Sequence, residues 1–216
     1  MMTPMNIDEK IKDIKRSFRL MMDGQVAQSM REKGVDYHLN WGATLLRLRE
    51  KADDLRHEVP EASLYELAIA LWKENVRECK ILATMLMPAD VILPEVVDIW
   101  MEQTETVEIA EQAAMNLYQY LPYAPMKAYE WIASDKDLYQ ICGFHVLSRL
   151  FMNGQEPNER GISEYLDQAH AALGSSNLSV RKAALNSLNH FAGLGLVYER
   201  LADSVMRLVN AQVNKC

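Results

Sequence analysis

Arg77, Lys80 and Thr84 are polar members of a stretch in which Val76, Cys79, Ile81, Leu82, Ala83, Met85 and Leu86 are apolar or nearly so. Their spacing of i, i+3 and i+7 puts them on one narrow edge of a helix that is otherwise apolar around most of its circumference. Such an edge is where water or a ligand would meet the chain, and two cations on it suit an anion. Other groupings are poorer in chemistry. His38, His57, His145, His170 and His190 show no His-x3-His spacing and the cysteines no Cys-x2-Cys spacing, so no zinc or other metal site is expected. Cys79 and Cys142 lie on apolar stripes, where packing is a better account than nucleophilic chemistry. Gly193-Leu-Gly195 follows a helical pattern rather than a strand, so it is no dinucleotide loop and no cofactor is expected.

Positioning that edge requires helices. The 216 residues are rich in Leu, Ala, Met, Glu, Lys and Arg, with 9 Gly and 7 Pro and no sustained β-branched alternation. Asn6 reads as the cap of a first helix to about Met22, ended by Gly24. Further helices are expected at Gln25–Lys33, Ala43–Leu55, Ser63–Trp72, Val76–Met87, Pro94–Glu102, Thr106–Leu121, Pro125–Ala133, Lys136–Met152, Ile162–Leu173, Ser179–Ala192 and Leu196–Val213. Gly174 and Gly193 read as residues just past helix ends, and Asn177-Leu-Ser179 as a helix cap rather than a glycosylation site. Tyr37, His38 and Trp41 share a loop that invites a functional reading, while packing of Tyr37, Leu39 and Trp41 is the plainer one.

A small residue opens four of these helices, in Val-Arg-Glu-Cys79, Val-Glu-Ile-Ala110, Tyr-Gln-Ile-Cys142 and Val-Arg-Lys-Ala183, at intervals of about one two-helix repeat. The expected fold class is therefore all-α, a curved α-solenoid of HEAT-like helix pairs. Residues 1–216 read as a single domain, with a polar loop at 153–161 separating repeats.

Net charge is −7, which argues against a strongly basic nucleic-acid binder, but the charge is uneven. Residues 1–57 carry 11 basic and 9 acidic side chains, 58–152 carry 6 and 15, and 153–216 carry 6 and 6. Asp90, Glu95, Asp98, Glu102, Glu105, Glu108 and Glu111 run without a Lys or Arg among them. No apolar run approaches the roughly 20 residues that span a bilayer, and three widely spaced cysteines (Cys79, Cys142, Cys216) make no disulfide framework. A cytoplasmic protein with no membrane partner is expected.

The order Leu71-Trp-Lys73, Arg77-Glu-Cys-Lys-Ile-Leu-Ala83, then Trp131-Ile-Ala-Ser-Asp135 with Tyr139-Gln140, together with a helix containing a Leu-Arg pair after Gly42, resembles the AlkD-type DNA alkylation repair proteins. The resemblance implies a HEAT-like solenoid whose concave face holds duplex DNA and, in active members, hydrolysis of the N-glycosidic bond of N3- or N7-alkylpurines. Loss of the purine leaves an oxocarbenium-like sugar, which a nearby carboxylate and aromatic faces stabilise.

By the resemblance, the catalytic carboxylate falls on Glu108, one methylene longer than the family's Asp. The positions of two tryptophans fall on Thr104 and Asn186, with Trp100 a turn before the first, and a DNA-contacting Arg falls on Ile141. Trp100, Thr104, Ile141 and Asn186 are thus the candidate pocket, and Arg77, Lys80, Arg181 and Lys182 the candidate DNA contacts; for these cations a solvated, salt-bridged edge is the plainer account. With three of four positions changed, glycosylase activity reads as weak or lost. The alternative is a non-enzymatic scaffold for a protein or peptide, to which the acidic run 90–111 would present a surface for a basic partner.

Overall fold

The computed structural model describes residues 5–32 and 37–213, so the expected helix end at Lys33–Gly34 and the thiol of Cys216 lie outside the described residues. Among them every element is helical. They run α1 (Ile7–Leu20), α2 (Gly24–Glu32), α3 (Leu45–Glu58), α4 (Glu61–Lys73), α5 (Arg77–Leu86), α6 (Pro94–Glu102), α7 (Val107–Asn116), a 3-10 turn (Tyr118–Tyr120), α8 (Ala124–Ile132), α9 (Asp137–Met152), α10 (Glu159–Leu173), α11 (Leu178–Ala192) and α12 (Leu196–Val213). They form two compact units, the first ending at Leu117 and the second starting at Tyr118.

In the first unit α3, α5 and α7 pack in series, α4 lies on α5, and α1 lies on α4. Alpha5 is enclosed on several sides, and every one of its residues except Lys80 is buried, the polar Arg77, Glu78 and Thr84 included. In the second unit α8 packs on α9, α9 on α11, and α10 and α12 on α11. Phe151, Tyr165 and Phe191 meet edge-on or tilted at 4.9–5.4 Å between ring centroids, and the Tyr165 hydroxyl finds Ser187 at 3.0 Å. The four small residues Cys79, Ala110, Cys142 and Ala183 are all buried on α5, α7, α9 and α11, so the repeat seen in the sequence is a repeat of close helix approach. Gly143 shows how close: a Cβ there would stand 2.8 Å from the Ala128 carbonyl oxygen of α8.

Several ends differ from expectation. Gly24 starts α2 rather than ending α1, because the Asp23 carboxylate accepts from the N–H groups of Gln25 and Val26. The expected helix 106–121 stops at Asn116, and the chain turns so that both Leu117 and Tyr118 are buried, Tyr118 against Trp131. Gly174 and Gly193 are right-handed, with φ −87° and −65°; their N–H groups close the last turn by donating to carbonyls three or four residues back. The polar loop is shorter than expected, since the Asn158 side chain caps α10 from Glu159, and it lies inside the second unit. Asn177 caps α11 as anticipated.

Candidate functional site

Glu108 stands in the first turn of α7, where the helix N-terminus favours a carboxylate. Thr106 caps that helix by accepting from the Ile109 N–H. Across from it, at the start of α5, Arg77 is 1% exposed. Its guanidinium meets Glu108 side-on, Nε donating to Oε2 at 2.8 Å and Nη2 to Oε1 at 2.6 Å. The remaining nitrogen, Nη1, donates to the Ala43 carbonyl at 2.8 Å and to Glu78 Oε1 at 3.2 Å. All three nitrogens of the guanidinium donate, a fork that a Lys could not reproduce.

Glu78 is wholly buried and holds the other side of the network. Its oxygens accept from the N–H groups of Trp41 and Ala43 at 3.3 and 3.2 Å. Two N–H groups flanking one residue converge on a single carboxylate because Gly42 takes φ +76° between them, with a Cβ there running into the Asp23 carbonyl. The same loop supplies Tyr37, whose hydroxyl donates to Glu108 Oε2 at 2.5 Å and lies 3.0 Å from Thr106 Oγ1. Arg77, Glu78, Glu108 and Tyr37 therefore lash residues 37–43 to the starts of α5 and α7.

The electrostatics follow from this packing. Burial works to raise the pKa of Glu108, but the Arg77 hydrogen bonds and charge, with the Tyr37 hydrogen bond, outweigh it and hold the carboxyl below its ordinary value. Burial, then the bond to Glu108, pushes the Tyr37 hydroxyl up. Burial also works against the charge on Arg77, and Glu108 more than compensates, keeping the guanidinium charged. Glu108 is thus an anion already neutralised by a partner at hydrogen-bond distance. A carboxylate meant to stabilise an oxocarbenium ion needs its charge directed at the sugar instead.

The expected polar edge is corrected accordingly. Arg77 points into the protein and Thr84 is wholly buried, donating to the Ile81 carbonyl and accepting from Asn116. Lys80 alone reaches the surface, its ammonium 4.5 Å above the Trp72 ring. Burial lowers the pKa of Lys80, partly offset by Glu105.

Trp100 is 2% exposed and stacked on Trp72, with centroids 4.2 Å apart and planes 4° from parallel. Its ring is committed to packing rather than to a pocket wall, and the aromatic that does reach Glu108 is Tyr37. Thr104 is buried beside it, donating to the Trp100 carbonyl.

In the second unit Ile141 is core. Asn186 is exposed and donates to Ser148, which also meets His190 Nδ1 at 2.7 Å. Arg181 folds back on the carbonyls of Ser175 and Ser176, and Lys182 is exposed. Burial raises the thiol of Cys79 to about 12 and that of Cys142 further. Among the described residues no three His, Cys, Asp or Glu side chains gather as a metal cluster.

Sequence reasoning missed Glu78 and the bond from Tyr37. The available signal was a charged pair, Arg77-Glu78, directly before the core residue Cys79, since a buried charge must find a partner.

With this geometry in view, three comparisons bear on the chain. The family described as "DNA alkylation repair enzyme" matches residues 14–194. A solved structure described as a new family of proteins related to the HEAT-like repeat DNA glycosylases, with affinity for branched DNA structures, superposes with a TM-score of 0.79 at 17% identity, covering 92% of this chain and 82% of the other. No curated protein matches.

Proposed function

The chain belongs to the DNA alkylation repair enzyme family, and on that premise we propose that it binds DNA, through the concave face of its helix repeats, with N-glycosylase activity on alkylated purines weak or lost. One observation carries the second half: the carboxylate that the chemistry would need, Glu108, is tied up in an ion pair with Arg77 and a hydrogen bond from Tyr37. The aromatic faces are wanting as well, since the two tryptophan positions hold Thr104 and Asn186 and Trp100, a turn before the first, is stacked on Trp72. Binding does not depend on that chemistry. Lys80, Arg181 and Lys182 are the proposed phosphate contacts, with Arg77 withdrawn from the set because it is enclosed.

The affinity for branched DNA described for the structural relative makes junctions the first ligand to try beside plain duplex. The binding half is tested by electrophoretic shift of a four-way junction and a duplex of matched length between 50 and 200 mM salt. Complexes whose affinity falls with salt support it, and no complex at 50 mM overturns it. No helix among the described residues is long and apolar enough to cross a membrane. The proposed compartment is the cytoplasm, where free thiols such as Cys79 and Cys142 persist.

A second reading has its own observation. On and before α6, Val91, Leu93 and Ile99 are exposed among Asp90, Glu95 and Glu102, a surface suited to a basic, amphipathic protein segment rather than to phosphate. Recovery of a basic protein partner in place of DNA would favour a scaffold.

A further inference from the structure

The segment Lys10–Arg19 holds five cations and one acid in a chain of net charge −7. Lys10 turns to Glu58, at 2.6 Å. The other four, Lys12, Lys15, Arg16 and Arg19, recur at i, i+3, i+4 and i+7 and so share one flank of α1. With Asp8, Ile11 and Glu74 they line a depression of about 440 Å³. Lys15 is bonded to Glu74 at 2.7 Å and Arg16 to Asp13 at 2.9 Å. Lys12 and Arg19, at the two ends of the row, are exposed and hold no hydrogen bond or ion pair among the described residues.

We propose that this flank of α1 is a further contact site for the phosphates of a nucleic-acid backbone. The inference rests on the reading that the protein binds DNA, and adds a site that neither the repeat pattern nor Glu108 indicates. Three features select the ligand. The cations lie in a row about 10 Å long, at roughly 1.5 Å per residue, rather than converging on a point, so they match a chain of phosphates better than one small anion. The partly exposed pairs at Lys15 and Arg16 are worth about 0–1 kcal/mol each, so a phosphate displaces Glu74 or Asp13 at little cost. The apolar face of the same helix, Ile11, Ile14 and Phe18, is buried in the first unit, and the one large apolar side chain that α1 leaves exposed, Leu20, is not the amphipathic face that a lipid surface takes up.

The test compares the full chain with two double variants, K12A/R19A on this flank and R31A/K73A, which removes the same charge from exposed positions elsewhere in the same unit. Circular dichroism and a thermal melt confirm that both fold. Affinity for a labelled four-way junction is measured from 50 to 200 mM salt. Two lost phosphate contacts lower the slope of log affinity against log salt by about 1.8 and weaken binding at 0.15 M about 30-fold. The control pair is expected to change the slope by less than about half a unit.

Equal losses in the two variants would reduce the effect to net charge and overturn the site, as would an unchanged slope in K12A/R19A. Wild-type binding to phosphatidylserine vesicles that vanished in K12A/R19A would make it a lipid site and overturn it equally. If the wild type binds no DNA at all, the functional reading itself fails. Wild-type binding with a normal K12A/R19A variant removes only the α1 site.

Discussion

Replacing Arg77 with Ala removes the partner of two carboxylates at once. Glu78 is wholly buried and Glu108 is 21% exposed at its side chain, so water cannot replace the guanidinium at the first and reaches the second only in part. Four hydrogen bonds are lost, three of them to carboxylate oxygens. Removing one member of a buried ion pair costs about 3–5 kcal/mol, against a total stability of about 5–15 kcal/mol. For a chain of this length each kcal/mol moves the melting temperature by about 2–4 °C, so a fall of roughly 6–20 °C is expected.

Urea unfolding followed by tryptophan fluorescence is a suitable assay, because Trp41, Trp72 and Trp100 all lie in the first unit and Trp41 is itself bonded to Glu78. Lys80→Ala, three residues away but at the surface, is the comparison and should cost about 1 kcal/mol or less. In a Glu108→Gln background the cost of Arg77→Ala should shrink by about 0.5–3 kcal/mol, since the two groups then no longer couple as charges. A loss in Arg77→Ala as small as that in Lys80→Ala would mean that the Arg77 side chain is solvated and free to meet a ligand, and the reasoning about Glu108 would fall with it.

Three further outcomes follow from the same geometry. Glu108 has a folded pKa held below its ordinary 4.5, so its contribution to stability is complete above that value and is lost as pH falls through the lower folded value. Glu108→Gln should therefore flatten the acid limb of a stability–pH curve, and an unchanged limb would refute the ion pair. Gly143→Ala should cost about 1–3 kcal/mol, because its methyl would press on the α8 backbone, and a neutral substitution in a urea titration would contradict that close approach. The thiols of Cys79 and Cys142, raised by burial to about 12 and beyond, should resist a thiol reagent at pH 8 until denaturant is added; rapid labelling of either in the native protein would show the burial to be wrong.

Much of the fold was legible because helical periodicity is a local property. Cys79, Ala110, Cys142 and Ala183 marked the close-packed helices, and the caps at Asn6 and Asn177 needed only a side chain and its own backbone. The candidate site was less legible because its partners are far apart in sequence. Arg77 reads as a surface cation when its helix is taken alone, yet Glu108, 31 residues on, and the Ala43 carbonyl, 34 residues back, draw it inward. Tyr37 read as a packing residue for the same reason, since nothing near it in sequence announces a bond to Glu108, 71 residues away. Trp100 lay a turn from the expected aromatic position, but stacking on Trp72 decides where its ring faces, and that pairing spans two helices.

The most direct measurement of the central claim is release of free base from duplex DNA carrying 7-methylguanine or 3-methyladenine, under single-turnover conditions with protein in excess. DNA is expected to be bound, with free base released no faster than by Glu108→Gln. Rapid release by the wild type that disappears in Glu108→Gln would contradict it, and would mean that Arg77 and Tyr37 hold Glu108 ready for the reaction rather than out of it.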